Sequence, residues 1–178
     1  MAGTGTANTV IGGDACRAAM SGSDNTVVGH TAGTALTDGP GNVLIGKSAG
    51  AAMTTGDYNV AIGFQAADVM TGDSNSNIAI GADALGQEAS GADHCIGIGH
   101  DALKVQNDAS AINLAIGTSA GDAVTSGKHH ALVGHQAGSA VTSNDACTAL
   151  GYQALLAATG NANVAIGAYS LTAACSGS

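Results

Sequence analysis

Large aromatic side chains are almost missing from this chain. It has no Trp, one Phe and three Tyr in 178 residues. Cores of this size normally draw much of their buried area from such rings, so a conventional globular interior is not expected. Yet 45% of the residues are hydrophobic. The interior must therefore be narrow and filled by Ala, Val, Ile and Leu. Charge is scarce too, at 10%. Scarce charge with this much apolar content argues against disorder.

Positive charge is scarcer still. Four basic residues stand against 13 acidic ones, for a net charge of −9. Phosphate contacts need clustered Lys and Arg, so no nucleic-acid partner is expected. No apolar run approaches the ~20 residues of a membrane helix, which argues against a membrane span. The opening residues MAGTGTANTV lack a basic region followed by an apolar core, so no secretory signal is expected. The four cysteines, Cys16, Cys95, Cys147 and Cys175, form no Cys-x-x-Cys pair, which argues against zinc. Glu88 is the only Glu. Phe64, Tyr58, Tyr152 and Tyr169 are few and scattered along the chain. A glycosidase cleft would want paired carboxylates and aromatic platforms. Neither enzymatic activity, nor a cofactor, nor a metal is expected.

What the chain does have is one phrase, written repeatedly. NVAIG (59–63) returns as NIAIG (77–81), NLAIG (113–117) and NVAIG (163–167). Aligned on the closing glycine, the units end at Gly12, Gly29, Gly46, Gly63, Gly81, Gly99, Gly117, Gly134, Gly151 and Gly167. Ten units of 16–18 residues begin near 8, 25, 42, 59, 77, 95, 113, 130, 147 and 163, and they fill 1–178 as one repeat domain with no linker. Four residues before the glycine stands Asn, except at Cys95, His130 and Cys147. Three residues after it stands Ala in every unit but the last, which has Ser170.

A period near 17 is too short for the common helical repeats. It suits one coil of a parallel β-solenoid. Val and Ile fit a pleated surface, and Gly and Asn suit the corners on either side. The phrase thus reads as a strand between two corners, stacked in register at ~4.8 Å per rung. The Asn column then either forms an amide ladder or serves the corner conformation; the two are compatible. The second half of each unit, such as ACRAAM (15–20) or AGDAV (120–124), reads equally as a second strand or a tight helical turn.

Strand residues alternate between faces. The residue just before the glycine is aliphatic in every unit: Ile11, Val28, Ile45, Ile62, Ile80, Ile98, Ile116, Val133, Leu150 and Ile166. This column is expected to fill the coil core. The preceding column should then face outward. It reads Val10, Val27, Leu44, Ala61, Ala79, Gly97, Ala115, Leu132, Ala149 and Ala165, with no polar residue. A strand apolar on both faces is covered on both. The simplest cover is another copy of the chain, with Val10, Val27, Leu44, Ala61, Ala79, Ala115, Leu132, Ala149 and Ala165 at the subunit interface. The alternatives are that the coil folds over this strip itself, or that inward and outward are exchanged.

Among residues with chemical potential, Cys95 and Cys147 share a column three rungs apart. That is roughly 14 Å, beyond the ~4.4–6.8 Å that a disulfide spans. Cys16 and Cys175, near opposite ends, are candidates for intermolecular disulfides. His30, His100 and His135 share the column after the glycine, separated by other rungs. His129 and His130 read as corner residues. The Asp residues cluster in corners, where turn formation explains them. Thr9, Thr26 and Thr148 share a column with Val43, Val60 and Ile78, too broken for the regular Thr ladder of an ice-binding face.

The Asn-x-Ala-Ile-Gly phrase resembles the repetitive region of bacteriophage tail-fibre and virion surface proteins. GYQALLAATGNANVAIG (151–167) and GFQAADVMTG (63–72) are the nearest stretches. It is also similar to the head of trimeric autotransporter adhesins, a parallel β-roll in a trimer. The resemblance implies a homotrimer. It implies a structural protein on the virion surface, a capsid decoration or cement protein or short fibre, assembled in the host cytoplasm against capsid, tail or fibre-attachment proteins. The alternative it implies is a cell-surface or receptor-binding head, with a host glycan as partner.

Overall fold

The computed structural model describes residues 3–71, 73–87, 93–108, 110–157 and 160–172. Ten strands, each of three residues, are β1 (Thr9–Ile11), β2 (Thr26–Val28), β3 (Val43–Ile45), β4 (Val60–Ile62), β5 (Ile78–Ile80), β6 (Ile96–Ile98), β7 (Leu114–Ile116), β8 (Ala131–Val133), β9 (Thr148–Leu150) and β10 (Val164–Ile166). They form one parallel sheet in sequence order. Pairing follows the repeat register, as in Ala61↔Ala79 and Ile62↔Ile80. The protein is an all-β solenoid, and no helix occurs among the described residues.

The corners use left-handed backbone, and the Asn column is not among them. Each coil turns at residues such as Tyr58 (φ 55°), Gln65 (φ 53°) and Ala67 (φ 52°). Side chains from Asp to Leu occupy these positions, so the stack imposes a conformation that few of them favour alone. The closing glycine is a stricter requirement. Gly81 has φ 132°, and a β-carbon there would lie 2.5 Å from the Gly99 carbonyl oxygen. Only a residue without a side chain lets the rungs approach this closely.

The Asn column is a ladder running up the stack. Asn42 Oδ1 accepts the Asn59 backbone N–H at 2.8 Å, and Asn59 Oδ1 accepts that of Asn77 at 2.9 Å. Nδ2 atoms of the column donate to corner carbonyls, as Asn42 does to Gly56 at 2.8 Å and Asn59 to Ser74 at 2.7 Å. The amides from Asn8 to Asn113 thereby satisfy backbone N–H groups that burial would otherwise orphan. The second half of the coil is neither strand nor helix. It is a tight turn tied to the next rung, with Gly50 N–H donating to Ala66 O and Gly138 N–H to Ala154 O, both at 2.9 Å.

The core reverses one expectation. Val27, Leu44, Ala61, Ala79, Ala115, Leu132, Ala149 and Ala165 are buried inside the coil; only Val10, in the first coil, is exposed. They are therefore not an intersubunit strip. Ile11, Val28, Ile45, Ile62, Ile80, Ile98, Ile116, Val133, Leu150 and Ile166 are not the core: every one is half-buried or exposed. The physical reason is volume. A coil interior one side chain deep accepts Ala, Gly and the occasional Leu, whereas ten consecutive Ile-sized residues would overfill it. The inner column packs against Ala32, Ala49, Ala84 and their equivalents, and against Leu36, Met53, Met70, Val124 and Val141 on the third side.

Candidate interaction surface

With the strand assignment corrected, the outer face of the sheet carries two columns. Val43, Val60, Ile78, Ile96 and Leu114 form one, and Ile45, Ile62, Ile80, Ile98 and Ile116 the other. The burial pattern of β2 and β4–β6 is half-buried, buried, half-buried. Ten rungs at ~4.8 Å make this an aliphatic stripe about 43 Å long. Parallel sheets almost always have both faces covered. Here one face is sealed by the coil's own interior, and the other presents Ile and Val to the outside. Thr9, Thr26 and Thr148 interrupt it at the ends.

Beside the sheet, His135 and Tyr152 in the column just after the glycine, and Tyr169 one position further along its own coil, bring together rings that lie far apart in sequence. His135 stacks on Tyr152 with centroids 5.3 Å apart, and Tyr152 meets Tyr169 edge-on at 5.2 Å. Gln153 Nε2 donates to Gln136 Oε1 alongside, at 2.6 Å. Tyr152 and Tyr169 are 45% and 60% exposed. The scatter expected from sequence is therefore only partial: one coil period per residue is one rung in space. Phe64 lies apart from this group, with Lys47 Nζ 5.5 Å from its ring centroid. Tyr58 lies at a separate corner, its ring against Gly41.

Polar chemistry gathers on the middle rungs. Asp83, His100 and Asp101 each bring a ligand-type atom within 4.8 Å of the others. This group lies across rungs rather than along the His column, which is why spacing of His30, His100 and His135 did not reveal it. Asp101 already has partners on both of its oxygens. Lys104 Nζ sits 2.8 Å from Asp101 Oδ1, and His100 Nδ1 sits 2.9 Å from Asp101 Oδ2. Burial raises the pKa of Asp122, and neighbouring Asp101 raises it further. Its Oδ1 is buried with no hydrogen-bond partner. Burial likewise raises Asp68, with Asp83 adding to the shift.

Cys95 and Cys147 are buried in the Asn column, where Cys95 Sγ lies 3.4 Å from the Ala111 carbonyl and Cys147 Sγ 3.6 Å from that of Asp145, and Cys16 is half-buried with its thiol pKa pushed up by burial. Cys175 and Glu88 lie outside the described residues. His30 and His129 are exposed, and His129 occupies a left-handed corner as expected (φ 59°). His130 is not a corner residue. It is 3% exposed and sits in the amide ladder. At the first coil, Gly3, Asn8, Val10, Cys16, Arg17 and Met20 line an open cavity of about 360 Å³. No helix is long and apolar enough to cross a membrane among the described residues.

No family profile, no curated protein and no solved structure matches this chain.

Proposed function

We propose that this chain is a self-associating structural protein, a trimeric β-solenoid displayed on the surface of a bacteriophage particle as decoration or short fibre. The observation that carries the self-association is the aliphatic outer face of the sheet. A stripe of Ile and Val along the whole rod is costly to leave in water, at roughly 25 cal/mol per Å². A straight stripe parallel to the rod axis suits cyclic association, in which each copy presents the same face to a central axis. The virion assignment rests on the Asn-x-Ala-Ile-Gly repeat and its likeness to virion surface repeats. In this reading the other virion proteins are its docking partners, and the chain performs no catalysis.

The test is antibody labelling of purified particles of the virus encoding the chain. Labelling on capsid or tail supports the assignment, and particles that lack the chain overturn it.

The cluster of His135, Tyr152 and Tyr169 favours a second reading, a receptor-binding head with a surface glycan as ligand. Exposed rings with amides beside them offer an apolar body and a polar edge together. Binding to host cells that is lost in Tyr152→Ala and Tyr169→Ala, with folding intact, supports this reading. Equal binding by all variants removes it.

A further inference from the structure

His130 stands where most units have Asn, and it copies half of what Asn does. Its backbone N–H donates to Asn113 Oδ1 at 2.9 Å, continuing the ladder from below. Its Nδ1 accepts the Cys147 backbone N–H at 3.2 Å, continuing the ladder upward. An imidazole nitrogen accepts only while it carries no proton. The neutral ring therefore holds its proton on Nε2. That atom is buried and, among the described residues, meets no acceptor in hydrogen-bond geometry, although the Asn144 carbonyl lies near enough to act on the ring. The equivalent amide nitrogen of Asn113 donates to the Gly127 carbonyl at 2.8 Å.

We propose that His130 makes the junction between the eighth and ninth coils an acid-sensitive joint: a proton taken from solvent onto Nδ1 converts the acceptor of the Cys147 N–H into a donor and opens the ladder there. No Asn rung has this property, because an amide does not titrate. Once protonated, Nδ1–H faces a backbone N–H in place of an acceptor, and a charge stands inside the coil.

The groups around the ring set the range. Burial is the largest influence and holds the pKa of His130 below the ordinary value for histidine. The Asn144 backbone, the Asp145 carboxylate and the Cys147 backbone oppose this, and His129 adds to it. Lys128 directs its ammonium to Asp108 at 3.3 Å. The Cys147 thiol lies near the Asp145 carbonyl at 3.6 Å. A folded pKa below the unfolded one means that the unfolded chain binds the proton more readily. The stability contributed by the neutral ring is full above the unfolded pKa of about 6.5 and is lost as pH falls through it towards the folded value.

The test compares the intact chain with His130→Asn, which restores the column's usual residue. Hydrogen exchange is measured at pH about 7.5 and about 5, either side of the ordinary histidine pKa, with rates corrected for the intrinsic pH dependence. The expected result is a selective loss of protection over residues 131–150 at the lower pH, by about tenfold or more. Residues 43–62 keep theirs, and His130→Asn abolishes the selectivity. Equal responses in the two proteins, or a uniform loss along the rod, overturns the proposal. So does an NMR titration that places the His130 pKa above the ordinary value, or the neutral proton on Nδ1.

Discussion

Leu132 fills the space that Gly138 leaves empty: a β-carbon on residue 138 would lie 2.7 Å from Leu132 Cδ2. Leu44 bears the same relation to Gly50, at 2.8 Å. In several coils a small residue of the inner strand column stands with a large facing one, although Ala61 with Ala67 and Ala115 with Gly121 are small on both walls. Ala79, Gly97 and Ala149 stand with Leu85, Leu103 and Leu155 in the same coils, all of them buried. The thin interior thus exchanges which wall supplies its volume, and beside Gly121 the space is filled by Leu103 and Leu132 from the adjacent coils.

This complementarity makes a paired substitution informative. Leu132→Ala alone should cost about 2–5 kcal/mol as a cavity. Gly138→Leu alone should cost about 1–3 kcal/mol by overpacking. Together they should recover a large part of the loss, since Leu155 already occupies the equivalent left-handed position with φ 60°. Chemical denaturation of the two single variants and the double variant measures the coupling. Simple additivity would contradict the account.

The closing glycines predict a sharp contrast. Gly81→Ala should prevent stacking of its rung, because the added carbon meets the Gly99 backbone at 2.5 Å and φ is 132°. Gly160→Ala, with nothing within 4 Å of the added carbon, should change stability by less than about 0.5 kcal/mol. Circular dichroism and thermal melts of the two variants distinguish these outcomes.

The amide ladder predicts the cost of removing one of its members. Asn59→Ala removes the acceptor of the Asn77 N–H and a donor to the Ser74 carbonyl, both in the buried wall. At about 1–3 kcal/mol for each unsatisfied group, the variant should lose a large fraction of its stability. Asn161→Ala, on an exposed residue bonded to the Asp145 N–H, should cost much less.

Asp122 predicts a pH effect of definite sign. Burial raises its folded pKa, so the folded protein holds its proton more tightly than the unfolded chain. The stabilisation is present below the ordinary carboxyl pKa of about 3.9 and is lost as pH rises through the folded value. Above that value the ionised carboxylate keeps one buried oxygen with no hydrogen-bond partner among the described residues, which is a liability. Asp122→Asn should therefore raise the melting temperature at neutral pH, and the gain should shrink in acid.

The ten strands and their register were legible because a glycine closes every unit and Asn stands four residues before it in seven of the ten. Which strand face points inward was not, because both columns beside each glycine are apolar and alternation alone assigns no side. Two signals pointed the right way. Thr9, Thr26 and Thr148 share a face with Ile11, Val28 and Leu150, and Thr suits a face that meets water. The exchange of sizes between Leu44 and Gly50, or Ala79 and Leu85, marks the partners across the interior. The Asp83, His100 and Asp101 group, and the row from His135 to Tyr169, were hidden because they are assembled across coils. Their residues are adjacent only after stacking turns a separation of about one period into about 5 Å.

The central claim is that sister subunits cover the aliphatic outer face of the sheet. Sedimentation equilibrium of the full chain at micromolar concentration tests it most directly, beside the variant Ile62→Glu, Ile80→Glu. The account predicts a mass of three chains for the unaltered protein and a smaller, still β-rich species for the variant. A stable monomer of the unaltered protein, with Ile62 and Ile80 open to solvent, would contradict it.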